Sequence, residues 1–350
     1  MTPPRPADDA AGDRAAGSRR ARAINRYFSH ISRPMMSAAR LGNPQLTAAV
    51  IRAIRPGVNR SLAALSPIPA DTRTVPVRDR TDDGQVRGEW VFAAGTPPPS
   101  ADRSADRVLY YLHGSGYVIC SPRTHRGLVA RLGRRTGLPA FSLDYRLGPD
   151  HRLPAGGDDA VRGYRWLLDL GYAAENIVVA GDSAGGHLAL DLLAVNHATG
   201  TPQPAALVAF SPLYDPSFRL AVRDQRSGVR DPLIDAVAAQ RILRLYTGDA
   251  ALDDPRMLVS LSPDMALPPT LIQYGSLEVM GGDARAYQRA LLDAGAEVDL
   301  QRWPGQGHVF QMFPGLAPEA RQAVSTAAQF ISATLAGDSE ADAADRPDVG

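Results

Sequence analysis

After about residue 66 the chain repeats one alternation: a short run rich in Val, Ile, Tyr and Phe, then a longer segment of helical period. No other feature constrains the fold as strongly. The first two runs, "TVPVRD" and "GEWVFAA", follow one another closely and read as antiparallel strands. Six more, "RVLYYL", "PAFSLDY", "NIVVAG", "ALVAFS", "PTLIQY" and "EVDLQRW", read as further strands, several rich in Val, Ile, Tyr and Phe as buried strands are. Between the later runs lie helical patterns such as "THRGLVARLGRRTG", "DDAVRGYRWLLDLG" and "GDARAYQRALLDAG". This order argues for a mostly parallel sheet with helices on both faces. Right-handed crossovers prune the topologies further. The expected fold class is therefore α/β, with a mostly parallel eight-stranded sheet.

The rest of the chain divides around that core. Residues 1–21 and 337–350 are polar and Ala-rich, with too little apolar surface to offset ordering entropy, and are expected to be disordered tails. Residues 22–66 look helical and partly apolar, with breaks expected at Pro34 and Pro56. Residues 67–213 and 261–336 carry the alternation. Between them residues 214–260 form an insertion with the helix-like stretch "PLIDAVAAQRILRLYTG". An insertion on the loop side of a sheet is a candidate lid.

Composition removes several classes of chemistry. The chain has no lysine, so every one of its 38 basic side chains is arginine. A Walker P-loop, a pyridoxal phosphate site and a serine–lysine hydrolase each need the missing residue. Arginine stays protonated and offers no lone pair in its place. A single cysteine, Cys120, excludes an internal disulfide, and no Cys/His cluster has metal-ligand spacing. The formal net charge of +1 suggests neither a nucleic-acid partner nor an anionic membrane. The first residues lack the apolar region of a signal peptide, and no apolar run is long enough to span a bilayer, so stable membrane insertion is not expected and the location is read as cytoplasmic.

In open α/β sheets chemistry collects at the carboxyl ends of strands. After "NIVVA" come Gly181, Asp182, Ser183, Ala184 and Gly185, a G-x-S-x-G elbow between a strand and a helix. A serine hydroxyl needs an oriented base. In the elbow order of serine, acid, histidine, the base falls on His308 in "WPGQGHVFQMF". The acid falls in "GSLEVMGGDARAY", where Glu278 lies close to the strand end. Asp283 is the runner-up; it follows two glycines, starts a helical run and reads better as an N-cap. The small-residue loop His113, Gly114, Ser115, Gly116 is placed to offer backbone N–H groups to a developing oxyanion, with the N–H of Ala184 as a further donor. His113 reads as structural, its ring tying that loop down by hydrogen bonds. Asp182 reads as structural, and Cys120 as a buried, inert thiol.

Taken in order, "HGSGY", "DYRLGPDHRLPAGGDDA", "GDSAGG", "GSLEV" and "GHVFQ" resemble the hormone-sensitive-lipase family of α/β-hydrolases, and its bacterial esterases above all. The resemblance spans roughly residues 75–335, with a looser match through the N-terminal helices. It implies a triad of Ser183, Glu278 and His308, oxyanion N–H groups at Ser115, Gly116 and Ala184, and a cap made from about 22–66 and 214–260. It implies a serine carboxylic-ester hydrolase working through an acyl-enzyme, with a small-molecule acyl ester as substrate and no cofactor or metal. Short-to-medium acyl chains are expected because the cap's apolar faces should close the pocket. Three departures stand out: H-G-S-G for the usual H-G-G-G, glycines at 148, 156 and 157 in the loop after "DYRL", and Glu278 where many relatives carry aspartate. An amidase, carbamate hydrolase or lactonase would use the same triad. A non-catalytic receptor on this fold is the other alternative, and a homodimer is left open.

Overall fold

Strands buried on both faces need apolar side chains at nearly every position, and the computed structural model places such strands at the centre of one eight-stranded sheet. It describes residues 17–37, 39, 42–97, 99, 100, 102–114 and 116–344. The strands are β1 (Arg73–Thr81), β2 (Gly84–Phe92), β3 (Val108–Leu112), β4 (Ala140–Leu143), β5 (Ile177–Asp182), β6 (Ala206–Phe210), β7 (Thr270–Gly275) and β8 (Val298–Trp303). Their spatial order is β1-β2-β4-β3-β5-β6-β7-β8. The β1–β2 hairpin and the β2–β4 pair are antiparallel, and every later pair is parallel. All residues of β3 to β7 are buried, whereas edge strands β1 and β8 are partly open.

Helices α1 (Arg19–Tyr27), α2 (Arg33–Ser37) and α3 (Pro44–Leu65) precede the sheet. Helices α4 (Pro122–Thr136), α5 (Ala155–Asp169) and α6 (Ala184–Thr199) connect its strands. The insertion carries α7 (Arg219–Arg226) and α8 (Ala236–Thr247), and α9 (Gly281–Asp293) and α10 (Pro318–Ala344) complete the chain. Period-two alternation splits the strand side chains between two cores. Tyr110, Val179, Leu207 and Ile272 pack with Tyr164 of α5, Leu188 of α6 and Tyr287 of α9. Tyr111, Val178, Val208 and Leu271 pack on the other face with Leu128 of α4 and Val324 and Ile331 of α10. No helix among the described residues is long and apolar enough to cross a membrane.

The structure moves both expected tail boundaries and removes both expected proline breaks. Residues 1–16 and 345–350 of the two expected tails lie outside the described residues. Residues 17–21 do not belong to a disordered tail: Ser18 caps α1 by accepting from Ala21 N at 3.2 Å, and its own N–H and hydroxyl both donate to Glu319 in the first turn of α10. That partner is 301 residues away and leaves no local sequence signal. Residues 337–344 continue α10, since propagating a packed helix adds one bond per residue fixed. The expected breaks at Pro34 and Pro56 are absent. A π-helical turn at Phe28–Ser32, where Arg33 N–H donates to Phe28 O, leads directly into α2. Pro56 lies inside α3 on its exposed side, where water can take the carbonyl that the missing N–H leaves free.

The N-terminal helices and the insertion meet. Ser37 donates to Asp235, the N-cap of α8, at 2.7 Å. Ile51 of α3 packs with Val118, after β3, and with Leu245 of α8. Asn25 of α1 donates to Gly305 O, three residues before His308, at 2.9 Å.

Candidate active site

Ser183 sits between the last residue of β5 and the first of α6, with backbone φ 49° and ψ −119°. This is sparsely populated for a residue with a Cβ. Backbone bonds hold it there: Ser183 N donates to Phe210 O at 3.0 Å, and Leu213 N donates to Ser183 O at 2.9 Å. The bend brings α6 so close to β3 that a Cβ on Gly185 would overlap Leu112 O, and one on Gly181 would crowd Gly185 O. The serine occupies the N-cap position of α6 but makes no side-chain capping bond, which leaves its hydroxyl for other partners.

That hydroxyl meets His308. Ser183 Oγ lies 3.0 Å from His308 Nε2, and His308 Nδ1 lies 2.9 Å from Glu278 Oε2. A carboxylate can only accept, so Nδ1 carries the proton and Nε2 presents a lone pair to the serine. Glu278 is buried just past β7 and also accepts from Gly275 N at 3.0 Å. Burial of His308 works against its cation, but the hydrogen bond and charge of Glu278, helped by Asp231 and Asp182, hold its pKa above the ordinary imidazole value.

Asp283 is elsewhere. It is fully buried in the first turn of α9, where Met280 is the N-cap, so it does not cap its own helix. Its Oδ1 instead accepts from Tyr214 N and Asp215 N, at 3.1 and 3.0 Å, and pins the turn after β6. Burial raises its pKa to about 7.

Gly116 has φ +52°, and Ala184, as the first residue of α6, has an N–H with no intrahelical acceptor. Ser115 lies outside the described residues. The neighbouring Gly114 is held by Asp182, whose Oδ1 accepts from Gly114 N and from Tyr111 Oη, both at 2.8 Å. A Cβ on Gly114 would overlap that carboxylate. Burial opposes the charge on Asp182, yet these bonds and His125, 3.3 Å away, keep its carboxyl below the usual range. His113 Nδ1 lies 3.2 Å from Gly114 O, a hydrogen bond within the loop. Its ring stacks on Tyr145 at 4.4 Å, its Nε2 is buried without a partner, and burial lowers its pKa to about 3. Tyr145 Oη donates to His113 O at 2.7 Å. Cys120 is buried, which pushes its thiol up to about 12 and leaves it inert.

The sequence matches the family described as alpha/beta hydrolase fold over residues 109–312. An acetyl-hydrolase of Streptomyces hygroscopicus is 37% identical over 257 residues, covering 73% of this chain and 83% of its own. Esterase LipU of Mycobacterium tuberculosis is 34% identical over 271 residues, covering 75% and 88%. A crystal structure of an esterase from the bacterial hormone-sensitive lipase family superposes with a TM-score of 0.71 at 32% identity, covering 83% of this chain and 98% of that one. The chain is an α/β-hydrolase of the hormone-sensitive-lipase family. It is a hydrolase enzyme.

Two side chains at this α/β-hydrolase site carried no sequence signal. Asp231, buried in the insertion, accepts from Leu233 N and Ile234 N through Oδ1 and from Val279 N, beside Glu278, through Oδ2. It ties the insertion to the loop that bears the carboxylate. His125 is buried in α4 against Asp182. His187 is also buried, and its Nε2 lies 3.1 Å from Met257 O. Neither Asp231 nor His125 falls in a recognisable motif; only the fold brings them to the site.

Proposed function

We propose that this hydrolase cleaves carboxylic esters through an acyl-enzyme, with Ser183 as nucleophile, His308 as general base and acid, and Glu278 as the acid that orients it. The observation that carries the reading is the unbroken line of hydrogen bonds from Ser183 Oγ through both ring nitrogens of His308 to Glu278, at 3.0 and 2.9 Å. His308 Nε2 takes the serine proton as Oγ attacks the acyl carbon, and Glu278 stabilises the imidazolium that forms. The N–H groups of Ala184, Gly116 and Ser115 receive the oxyanion. One such donor contributes on the order of 3–4 kcal/mol to the transition state in a serine hydrolase. His308 then gives its proton to the leaving alcohol, and a water activated by the same base releases the acid. The names of the relatives, esterase and acetyl-hydrolase, support a small acyl ester as substrate.

In this reading α1 to α3 and the insertion with α7 and α8 form a cap over the strand ends. A closed apolar pocket beneath it suits short-to-medium acyl chains. Treatment with a sulfonyl fluoride or an organophosphate is expected to add one adduct, on the peptide bearing Ser183, with loss of turnover. An adduct on another serine with Ser183 unmodified would overturn the assignment. A panel of acyl esters, amides and lactones of matched acyl length then separates ester hydrolysis from the other acyl transfers that the triad serves.

A further inference from the structure

A net charge of +1 hides a strong asymmetry. Residues 17–70 hold nine arginines and no aspartate or glutamate, so all 37 acidic residues lie elsewhere in the chain. The same segment carries an uncovered apolar surface. Tyr27, Ile31 and Met35, spaced four apart along α1, the π-helical turn and α2, are 49%, 46% and 66% exposed. Leu46, Val50 and Ile54 repeat the spacing on α3, at 57%, 46% and 40%. Four-residue spacing overshoots a full α-helical turn by about 40°, so such a row drifts around an ideal helix. The wider π-helical turn at Phe28–Ser32 offsets that drift and keeps the first three side chains near one line. The other side of this stretch faces inward: Ala21 and Phe28 are buried, and Ile24 packs against the cluster that holds Phe28. Arg19, Arg20, Arg22 and Arg26 are exposed alongside the outward row.

We propose that α1, the π-helical turn and α2 form a peripheral docking surface for an anionic lipid bilayer, with the outward row of Tyr27, Ile31 and Met35 seated among the head groups and Arg19, Arg20, Arg22 and Arg26 on lipid phosphates. On α1 and α2 an apolar row with flanking cations is what an interfacial helix requires, whereas Arg52 and Arg55 of α3 already face Asp150 at 2.7 and 3.4 Å. A second copy of this chain is the weaker fit, because the segment would set its arginines against an identical set. The whole-chain charge balance, which suggested no membrane partner, averages this basic segment against an acidic remainder. The surface adsorbs and does not span, in keeping with the absence, among the described residues, of a helix both long and apolar enough to cross a membrane.

The test is co-sedimentation of the full chain with vesicles of phosphatidylcholine alone and with roughly one third phosphatidylglycerol. Preferential pelleting with the anionic vesicles, by about tenfold or more at low salt and lost at high salt, is the expected result. Arg19→Gln/Arg20→Gln/Arg26→Gln should lower that partitioning at least tenfold, and Ile31→Asp/Met35→Asp should abolish it, each with the native far-UV circular dichroism spectrum. Should the second variant not fold, the arginine variant decides alone, since its three side chains are exposed. Equal binding to both vesicle types, or undiminished binding by the folded variants, overturns the proposal. So does sedimentation velocity that finds a dimer, without lipid, which Ile31→Asp/Met35→Asp dissociates, because the surface is then an interface between copies of this chain.

Discussion

The backbone of Ser183, at φ 49° and ψ −119°, stores strain on the order of 1–3 kcal/mol, which the surrounding bonds to Phe210 and Leu213 must outweigh. What the strain secures is a hydroxyl aimed at His308 and not at its own helix. At this scale the two candidate acids are separated by geometry, since Glu278 touches the imidazole and Asp283 bonds Tyr214 and Asp215. Glu278→Gln is expected to lower turnover by roughly four orders of magnitude while the protein stays folded, because the imidazole then loses its orienting anion and its tautomer. Asp283→Asn should keep turnover within about tenfold, since an amide oxygen can still accept both N–H groups. Steady-state kinetics with far-UV circular dichroism on the two variants check this, and the reverse pattern would make Asp283 the acid. The pH profile follows from His308. It must be neutral to accept a proton, and its folded pKa lies above 6.5, so kcat/KM should rise with pH through a limb on the alkaline side of that value. A limb at or below about 6.5 would mean that Glu278 and Asp231 do not raise the imidazole as their positions require.

Among elements, the elbow depends on the close approach of α6 to β3, and the pocket depends on what covers the strand ends. Ile51 of α3, packed between Val118 and Leu245, couples the N-terminal helices both to the loop after β3 and to α8. If these elements wall the acyl pocket, each buried methylene contributes about 0.8 kcal/mol until the wall is reached, and nothing beyond it. For butyrate, hexanoate, octanoate and palmitate esters of one alcohol, kcat/KM should climb and then fall before palmitate. Deleting residues 1–60 should blunt that selectivity or cost solubility. Ile51→Ala tests the same wall more gently, with a loss of about 2 kcal/mol in stability and a broadened profile. A preference for palmitate, or profiles unchanged in both variants, would count against the cap.

For the whole molecule, the proposed chemistry needs no ion, because the triad and the backbone N–H groups together supply nucleophile, proton transfer and charge stabilisation. Prolonged dialysis against EDTA should therefore leave both turnover and the melting temperature unchanged. Loss of activity restored by a divalent cation would contradict the mechanism.

What the sequence determined by itself was whatever depends on local order and period. Apolar runs of strand length alternating with helical patterns require a buried, mostly parallel sheet. Small residues around Ser183 after one such run mark the elbow, and the order along the chain singles out His308. The absence of lysine closes other chemistries without any structure. What only the tertiary structure decided depends on groups far apart in the chain. Ser18 is ordered by Glu319, Gly114 is held by Asp182, and the Glu278 loop is braced by Asp231. The buried positions of His125 and His187 and the inward turn of Asp283 belong to the same class. Hydrogen bonds and burial of this kind join elements that no local pattern connects, because the energy that places them is released only when the sheet and its helices have packed together.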